Sequence, residues 1–201
     1  MAQQANKEQL HELLYQALET ELGGEKVYAA ALRCALDESL KEEWEKCHKE
    51  TRAHQEVLRQ VLGELGLDPD AKTPGREVVA HLGSSLVKAM DMAQKSGNKE
   101  AAQLVAGECV VLAETKDHMN WELIKLASEK IQGKEREILA KASQKVEHEE
   151  DHHLYHSKGY TRELWLKSLG FPAVLPPPEE AKHVASAIGA SRAEHSRDQM
   201  L

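Results

Sequence analysis

Aromatic side chains make up only 4% of this chain, with a single Phe, so its core has to be built from aliphatic residues. The dominance of Ala, Leu, Glu and Lys that accompanies this scarcity is the usage of a helical bundle. Cysteine is also scarce. Cys34, Cys47 and Cys109 are odd in number, far apart and never in a C-x-x-C, which excludes a disulfide scaffold, a zinc ribbon and a rubredoxin-type site. They read as reduced, buried thiols. Positive charge is in deficit, with 26 Lys and Arg against 34 Asp and Glu and a net charge of -8. That balance argues against a nucleic-acid or anionic-membrane partner, both of which require a basic face, and it suits cations. No run of about 18 apolar residues occurs, and Met1 to Lys7 lacks the apolar segment of a secretory leader. A soluble, cytoplasmic protein is expected, and its 201 residues are enough for one core.

What the chain has in abundance is helical periodicity. A first helix is expected from Asn6 to Ala35, with Asn6 as cap and Leu10, Leu14, Ala17, Tyr28 and Ala31 on its apolar stripe. Glu21 lies on that stripe and Glu25 on a parallel one. The pair Gly23-Gly24 costs roughly 1 kcal/mol per residue relative to Ala, so it marks a close helix approach or a local distortion. Leu36-Asp37 turns the chain into a second helix reaching Leu65, with the stripe Leu40, Trp44, Cys47, Thr51, His54, Leu58, Val61 and Leu65, and with Glu50 on its flank. Glu21 stands about fifteen residues before the corner, and Glu50 to His54 about fourteen to seventeen after it, so they share one height. A loop containing Pro69 and Pro74 leads to a shorter third helix, Arg76 to Lys95, in which His81 borders an apolar set of Val78, Val79, Leu82, Leu86, Met90 and Ala93.

The fourth helix, Lys99 to Lys130, carries Glu114-Thr115-Lys116-Asp117-His118, which repeats Glu50-Thr51-Arg52-Ala53-His54. Residues 7 to 65 and 76 to 130 therefore read as diverged copies of one hairpin. Periodicity leaves Glu108 and Glu114 both open as inward carboxylates. The fifth helix, Glu135 to Ser168, contains the richest stretch of the chain, Glu147-His148-Glu149-Glu150-Asp151-His152-His153-Leu154-Tyr155-His156. Glu150 and His153 rise three apart from one helical face, and Glu149 competes with Glu150 for the inward position. His148, Asp151 and His152 point away from the stripe and are expected in solvent. Glu114 and Glu150 each lie about eighteen residues from the turn at Gln132-Gly133, so the second hairpin repeats the arrangement of the first. After Gly170 the composition changes to Phe171-Pro172-Ala173-Val174-Leu175-Pro176-Pro177-Pro178. An extended, mobile tail is expected over residues 171–201, with a short helix near Ala181 to Ala190, beside a bundle domain over residues 1–170.

Carboxylates and imidazoles at one level on four helices would cost several kcal/mol if left unpaired, and the inward stripes offer almost no Lys or Arg. A dication removes that cost. The Glu150-x-x-His153 unit, the single carboxylates Glu21 or Glu25 and Glu114, and His54 together resemble the ferritin-like superfamily, in particular small bacterial rubrerythrin relatives without the rubredoxin part. The resemblance covers residues 7 to 168. It implies an all-α, ferritin-like four-helix bundle that binds two iron or manganese ions, as a homodimer. The ligand set it carries over is Glu21, Glu25, Glu50, His54, Glu114, His118, Glu150 and His153. Two departures stand out: Glu50 is four rather than three residues before His54, and His118 is an extra imidazole. Two functions are compatible with it: an oxidoreductase reacting Fe(II) with oxygen or hydrogen peroxide in stress protection, with Tyr28 as an electron or proton donor, or a non-catalytic metal-sequestering or structural stress protein. In the favoured architecture helices one, two, four and five form the bundle; the alternative leaves the fifth helix outside two paired hairpins.

Overall fold

A computed structural model describes residues 6–201. It is all-α, with no strand among the described residues. The helices are α1 (Lys7–Cys34), α2 (Glu38–Glu64), α3 (Pro74–Lys95), α4 (Lys99–Lys130), α5 (Lys134–Ser168), α6 (Pro178–Ala181) and α7 (Ala187–His195), followed by one 3-10 turn, Arg197–Gln199. Their starts are written in short polar side chains. Asn6, Asp37, Thr73 and Asn98 each accept a hydrogen bond from the backbone N–H three residues on, and Pro74 fills the first position of α3. Each such cap stabilises its helix by about 1 kcal/mol. α5 instead follows Gly133, whose φ of 81 turns the chain out of α4.

The four long helices close on one another: α1 packs on α2, α2 on α5, α5 on α4, and α4 on α1. α3 lies across α1 and α4. The arrangement with α5 outside two paired hairpins is not what the chain adopts, because α5 runs along both α2 and α4. Of the apolar set on α3, only Val79 and Met90 are buried, while Val78 and Leu82 face outward. α1 and α3 meet at two glycines. A Cβ built on Gly23 would lie 3.7 Å from the Gly83 Cα, so the Gly23-Gly24 step is a close approach within an unbroken helix.

The core is divided along its length. One apolar half collects Leu14 and Leu18 of α1, Leu58 and Leu62 of α2, Ile124 of α4 and Leu139 and Val146 of α5. The other collects Val27 and Ala31 of α1, Leu40 and Trp44 of α2, Ala106 and Val110 of α4, and Tyr160 and Leu164 of α5. Between the halves each long helix contributes buried polar residues: Glu21, then Thr51 and His54, then Glu114, Asp117 and Asn120, then Glu150 and His153. Aliphatic residues at those positions would each have gained about 1.5–3 kcal/mol of burial, so the polar slab runs against stability. The three cysteines are free and buried.

Residues 171–201, expected to be extended, carry α6, α7 and the 3-10 turn, and α6 and α7 pack on α5. Two short helices, the first opening on Pro178, replace the single one expected near Ala181 to Ala190. Part of the cause is polar. Glu163 of α5 accepts from Arg197 Nε at 2.8 Å and from the Val174 N–H at 2.8 Å, and Arg162 holds Glu179 through both guanidinium nitrogens at 2.7 and 2.9 Å. Pro177, Pro178, Val184 and Ala193 are buried there, and Leu175 packs against the bundle core.

Candidate metal centre

The slab brings five of the eight residues expected as ligands into one buried neighbourhood, Glu21, His54, Glu114, Glu150 and His153, with the partly exposed Glu50 at its edge. His54 and His153 stack with ring centroids 5.6 Å apart and planes at 28°. Glu150 stands between them, its Oε1 lying 2.9 Å from His54 Nδ1 and 3.9 Å from His153 Nδ1. Glu21 Oε1 is 3.4 Å from His54 Nδ1, and Glu114 Oε2 is 3.5 Å from His153 Nδ1. Both imidazoles therefore turn Nδ1 toward the inner carboxylates.

Their Nε2 atoms face outward, each to a partly exposed carboxylate. His54 Nε2 is 2.6 Å from Glu149 Oε2, and His153 Nε2 is 2.9 Å from Glu50 Oε2. A carboxylate accepts and cannot donate, so each Nε2 carries its hydrogen outward and a neutral ring is left with an inward lone pair on Nδ1. Carboxylate, imidazole, then an inward lone pair is the arrangement in which an outer acid orients a ligating histidine. Glu50 thus sits behind His153 rather than beside the inner acids, and Glu149 does the same for His54.

The inner donors have no partners. Glu21 Oε2, Glu114 Oε2, Asp117 Oδ1, both Glu150 oxygens and His54 Nδ1 are buried without a hydrogen bond, although Nδ1 is within 3 Å of Glu150 off the bonding direction. Glu21 Oε1 is held by the Trp121 indole N–H at 2.8 Å. Among the described residues no Lys or Arg pairs with Glu21, Glu114, Asp117 or Glu150; their short charged contacts are to His54 and His153. Protons stand in for the missing charge. Burial raises Glu150 to about 7, with His54 pulling it down and Glu21 pushing it up, and burial beside Glu21, Glu150 and Glu114 lifts Asp117 well above the carboxylate range. Burial would lower His54, but Glu149, Glu150 and Glu21 outweigh it and push it up to about 12. His153 is raised as well, burial being outweighed by Cys47, Glu114 and Glu50. Donor atoms about 3 Å apart on several sides match neighbouring ligands around one ion held at roughly 2.0–2.2 Å. The residues present fit a divalent metal.

Two expected ligands lie elsewhere. Glu25, one turn beyond Glu21 and rotated about 40°, accepts from Gln55 Nε2 at 3.0 Å and is 3.5 Å from Arg52 at the surface. His118 pairs with Asp151 at 2.8 Å on the outer side of α4. Beside Glu114, the repeated stretch turns inward not His118 but Asp117, which the sequence reading missed. Its signal was present, since Glu114-x-x-Asp117 has the spacing of Glu150-x-x-His153; attention to imidazoles favoured the neighbour. Glu108, the other open choice on α4, is exposed and accepts from Trp165 Nε1 at 3.1 Å. Tyr28 lies edge-on to His153 with centroids 6.1 Å apart, and its buried hydroxyl has no partner. His152 is not in solvent as expected; it meets Glu43 of α2.

A cavity of about 270 Å³ opens beside the slab, lined by His118, Trp121, Glu122, Glu147, Asp151 and Tyr155 and reaching Glu150. Lys125 also lines it, paired with Glu147, as His118 is with Asp151. Among the described residues no helix is long and apolar enough to cross a membrane. Comparisons with protein-family models, curated proteins and solved structures gave no match.

Proposed function

We propose that the slab is a di-metal centre for iron or manganese in a ferritin-like four-helix bundle, and that the protein reacts Fe(II) with oxygen or hydrogen peroxide in protection against oxidative or metal stress. One observation carries this reading: six buried donor atoms without a hydrogen bond converge from four helices, and among the described residues no Lys or Arg neutralises them. A mixed set of carboxylates and two imidazoles suits iron or manganese. Glu21, His54, Glu114, Asp117, Glu150 and His153 would hold the metal, with Glu150 Oε1 within 3.9 Å of both Nδ1 atoms. Donor atoms of His54, Glu150 and His153 lie within 4.8 Å of one another, as do those of Glu21, Asp117 and Glu150, and Glu114 stands beside His153. Two bound Fe(II) ions supply one electron each, the pair needed with two protons to cleave hydrogen peroxide to two waters.

The chain's own contribution is positioning and exclusion. Glu149 and Glu50 fix the two rings, Trp121 fixes Glu21, and the apolar halves of the core keep bulk water from both ends of the slab. Tyr28 places a phenol beside His153 and Glu114, and burial, with Cys47 and Glu114 nearby, holds it in its protonated form.

The test is elemental analysis of protein reloaded anaerobically with Fe(II), followed by peroxide addition. About two ions per chain are expected, lost in Glu150→Ala, retained in Glu25→Ala and His118→Ala, and oxidised with one peroxide consumed per two Fe(II). Tight binding without peroxide consumption would replace the oxidoreductase with a metal-sequestering protein. Absence of bound metal in the unsubstituted chain would overturn the reading.

A further inference from the structure

A second cluster of ligating side chains lies where the tail docks on α2 and α5. Glu43, His152, His156 and Glu180 each offer a donor atom, and all these atoms fall within 4.8 Å of one another. His152 and His156 are four apart on α5 and so share a face, with ring centroids 3.6 Å apart. Glu43 comes from α2 and Glu180 from α6, so three segments distant in sequence converge.

The hydrogen bonding shows which way the rings present their lone pairs. The Val184 carbonyl, 3.2 Å from His156 Nε2, can only accept, so Nε2 carries the hydrogen and Nδ1 is left facing Glu180 Oε2 at 2.5 Å. Two acceptor atoms at that distance repel unless they share a proton or move about 1 Å further apart to take up a metal ion at roughly 2.0–2.2 Å from each. His152 repeats the situation. Lys46 Nζ, 2.9 Å away, donates to Nε2, and a Glu43 oxygen crowds the same nitrogen. A neutral ring cannot accept from the lysine and donate to the glutamate through one atom.

We propose that Glu43, His152, His156 and Glu180 form a separate site for one divalent ion of the zinc class, and that the ion fastens the tail to the bundle. Two carboxylates and two imidazoles are a four-coordinate zinc donor set, and the charge of the ion cancels that of the two acids. The Val184 carbonyl behind His156 is the outer hydrogen bond that orients a zinc-bound ring. Lys46 is the local cation that the ion displaces; it is exposed, and its long side chain is free to swing into solvent. The site does not depend on the di-metal centre, with which it shares no residue.

The test titrates Zn²⁺ into metal-free protein in competition with a chromophoric chelator, and follows trypsin cleavage after the exposed Lys182. His152→Ala and Glu180→Gln alter partly exposed side chains and so leave the fold in place. Each is expected to lose one zinc equivalent relative to the unsubstituted chain. Zinc is expected to slow tail cleavage in the unsubstituted chain and in Glu150→Ala, but in neither variant of the tail site. Unchanged zinc stoichiometry and affinity in both tail-site variants would overturn the site and leave a proton-sharing network. Zinc binding that leaves tail cleavage unaltered would overturn its fastening role.

Discussion

Asp117 shows what a buried donor costs before it has a ligand. Its carboxyl is almost fully enclosed, Glu21, Glu150 and Glu114 surround it, and its folded pKa lies well above the unfolded value. An acid raised in this way opposes folding at every pH above its unfolded pKa of about 3.9, because folding must take up a proton or bury a charge. Asp117→Asn is therefore expected to raise the melting temperature of the metal-free protein at pH 7 by ~2–4 °C, about 1 kcal/mol, while weakening metal binding; calorimetry and metal titration read the two effects. A purely structural Asp117 would show the opposite sign in calorimetry. Glu149 and Glu50 act at one remove, through the rings they hold. Glu149→Ala and Glu50→Ala should keep the metal stoichiometry at saturation and weaken affinity by roughly 10–100-fold, as competition with a chelator would record.

At the scale of the helix, the polar slab depends on α1, α2, α4 and α5 holding one register, and α3 is fitted to them from outside through a glycine contact with α1. The contact is asymmetric. A Cβ on Gly83 would stand 3.3 Å from the Gly23 Cα, against 3.7 Å for the reverse. Gly23→Ala is expected to gain about 0.5–1 kcal/mol of helix propensity at no steric cost. Gly83→Ala should gain less, and Gly83→Val should destabilise by roughly 1–3 kcal/mol by forcing backbone apart, as denaturant midpoints would show. Because α3 packs outside the ring, Gly83→Val should leave metal stoichiometry unchanged.

At the scale of the whole molecule, the tail is joined to the bundle by charge as well as by buried Pro177, Pro178, Val184 and Ala193. Burial alone would raise Glu163, but Arg197, the Val174 N–H and Arg162 outweigh it and hold its carboxyl below the usual range. The sign follows directly: its contribution is complete above the unfolded carboxylate pKa of about 4.3 and is lost as pH falls through the lowered folded value. Hydrogen exchange over residues 172–200 is expected to accelerate below about pH 4. Glu163→Gln should show fast exchange already at pH 7, with this part of the pH dependence removed. Gly159 packs against the same junction, where an added Cβ would lie 2.5 Å from Glu179 Oε2, so Gly159→Ala should also loosen the tail.

The all-α class, the five long helices and their ends to within a few residues follow from periodicity and caps, which are local and stand in the chain itself. So does the shared height of Glu21, Glu114 and Glu150, since rise per residue is constant from a tight corner. Direction around a helix was harder to read, because a single residue step turns a side chain by about 100°. That step separates Asp117 from His118 and Glu150 from Glu149, and it depends on which neighbours enclose the helix. The role of Glu50 could not be read locally either, since its place behind His153 exists only once α2 and α5 are side by side. The tail was least legible: its order comes in part from Glu163, Glu179 and their arginines, paired across 17 and 34 residues of sequence, whereas composition registers only that large apolar side chains are few. Local pattern determined the elements and their polar level; only tertiary packing decided which polar atoms face one another, because charge pairing acts across space and is blind to sequence order.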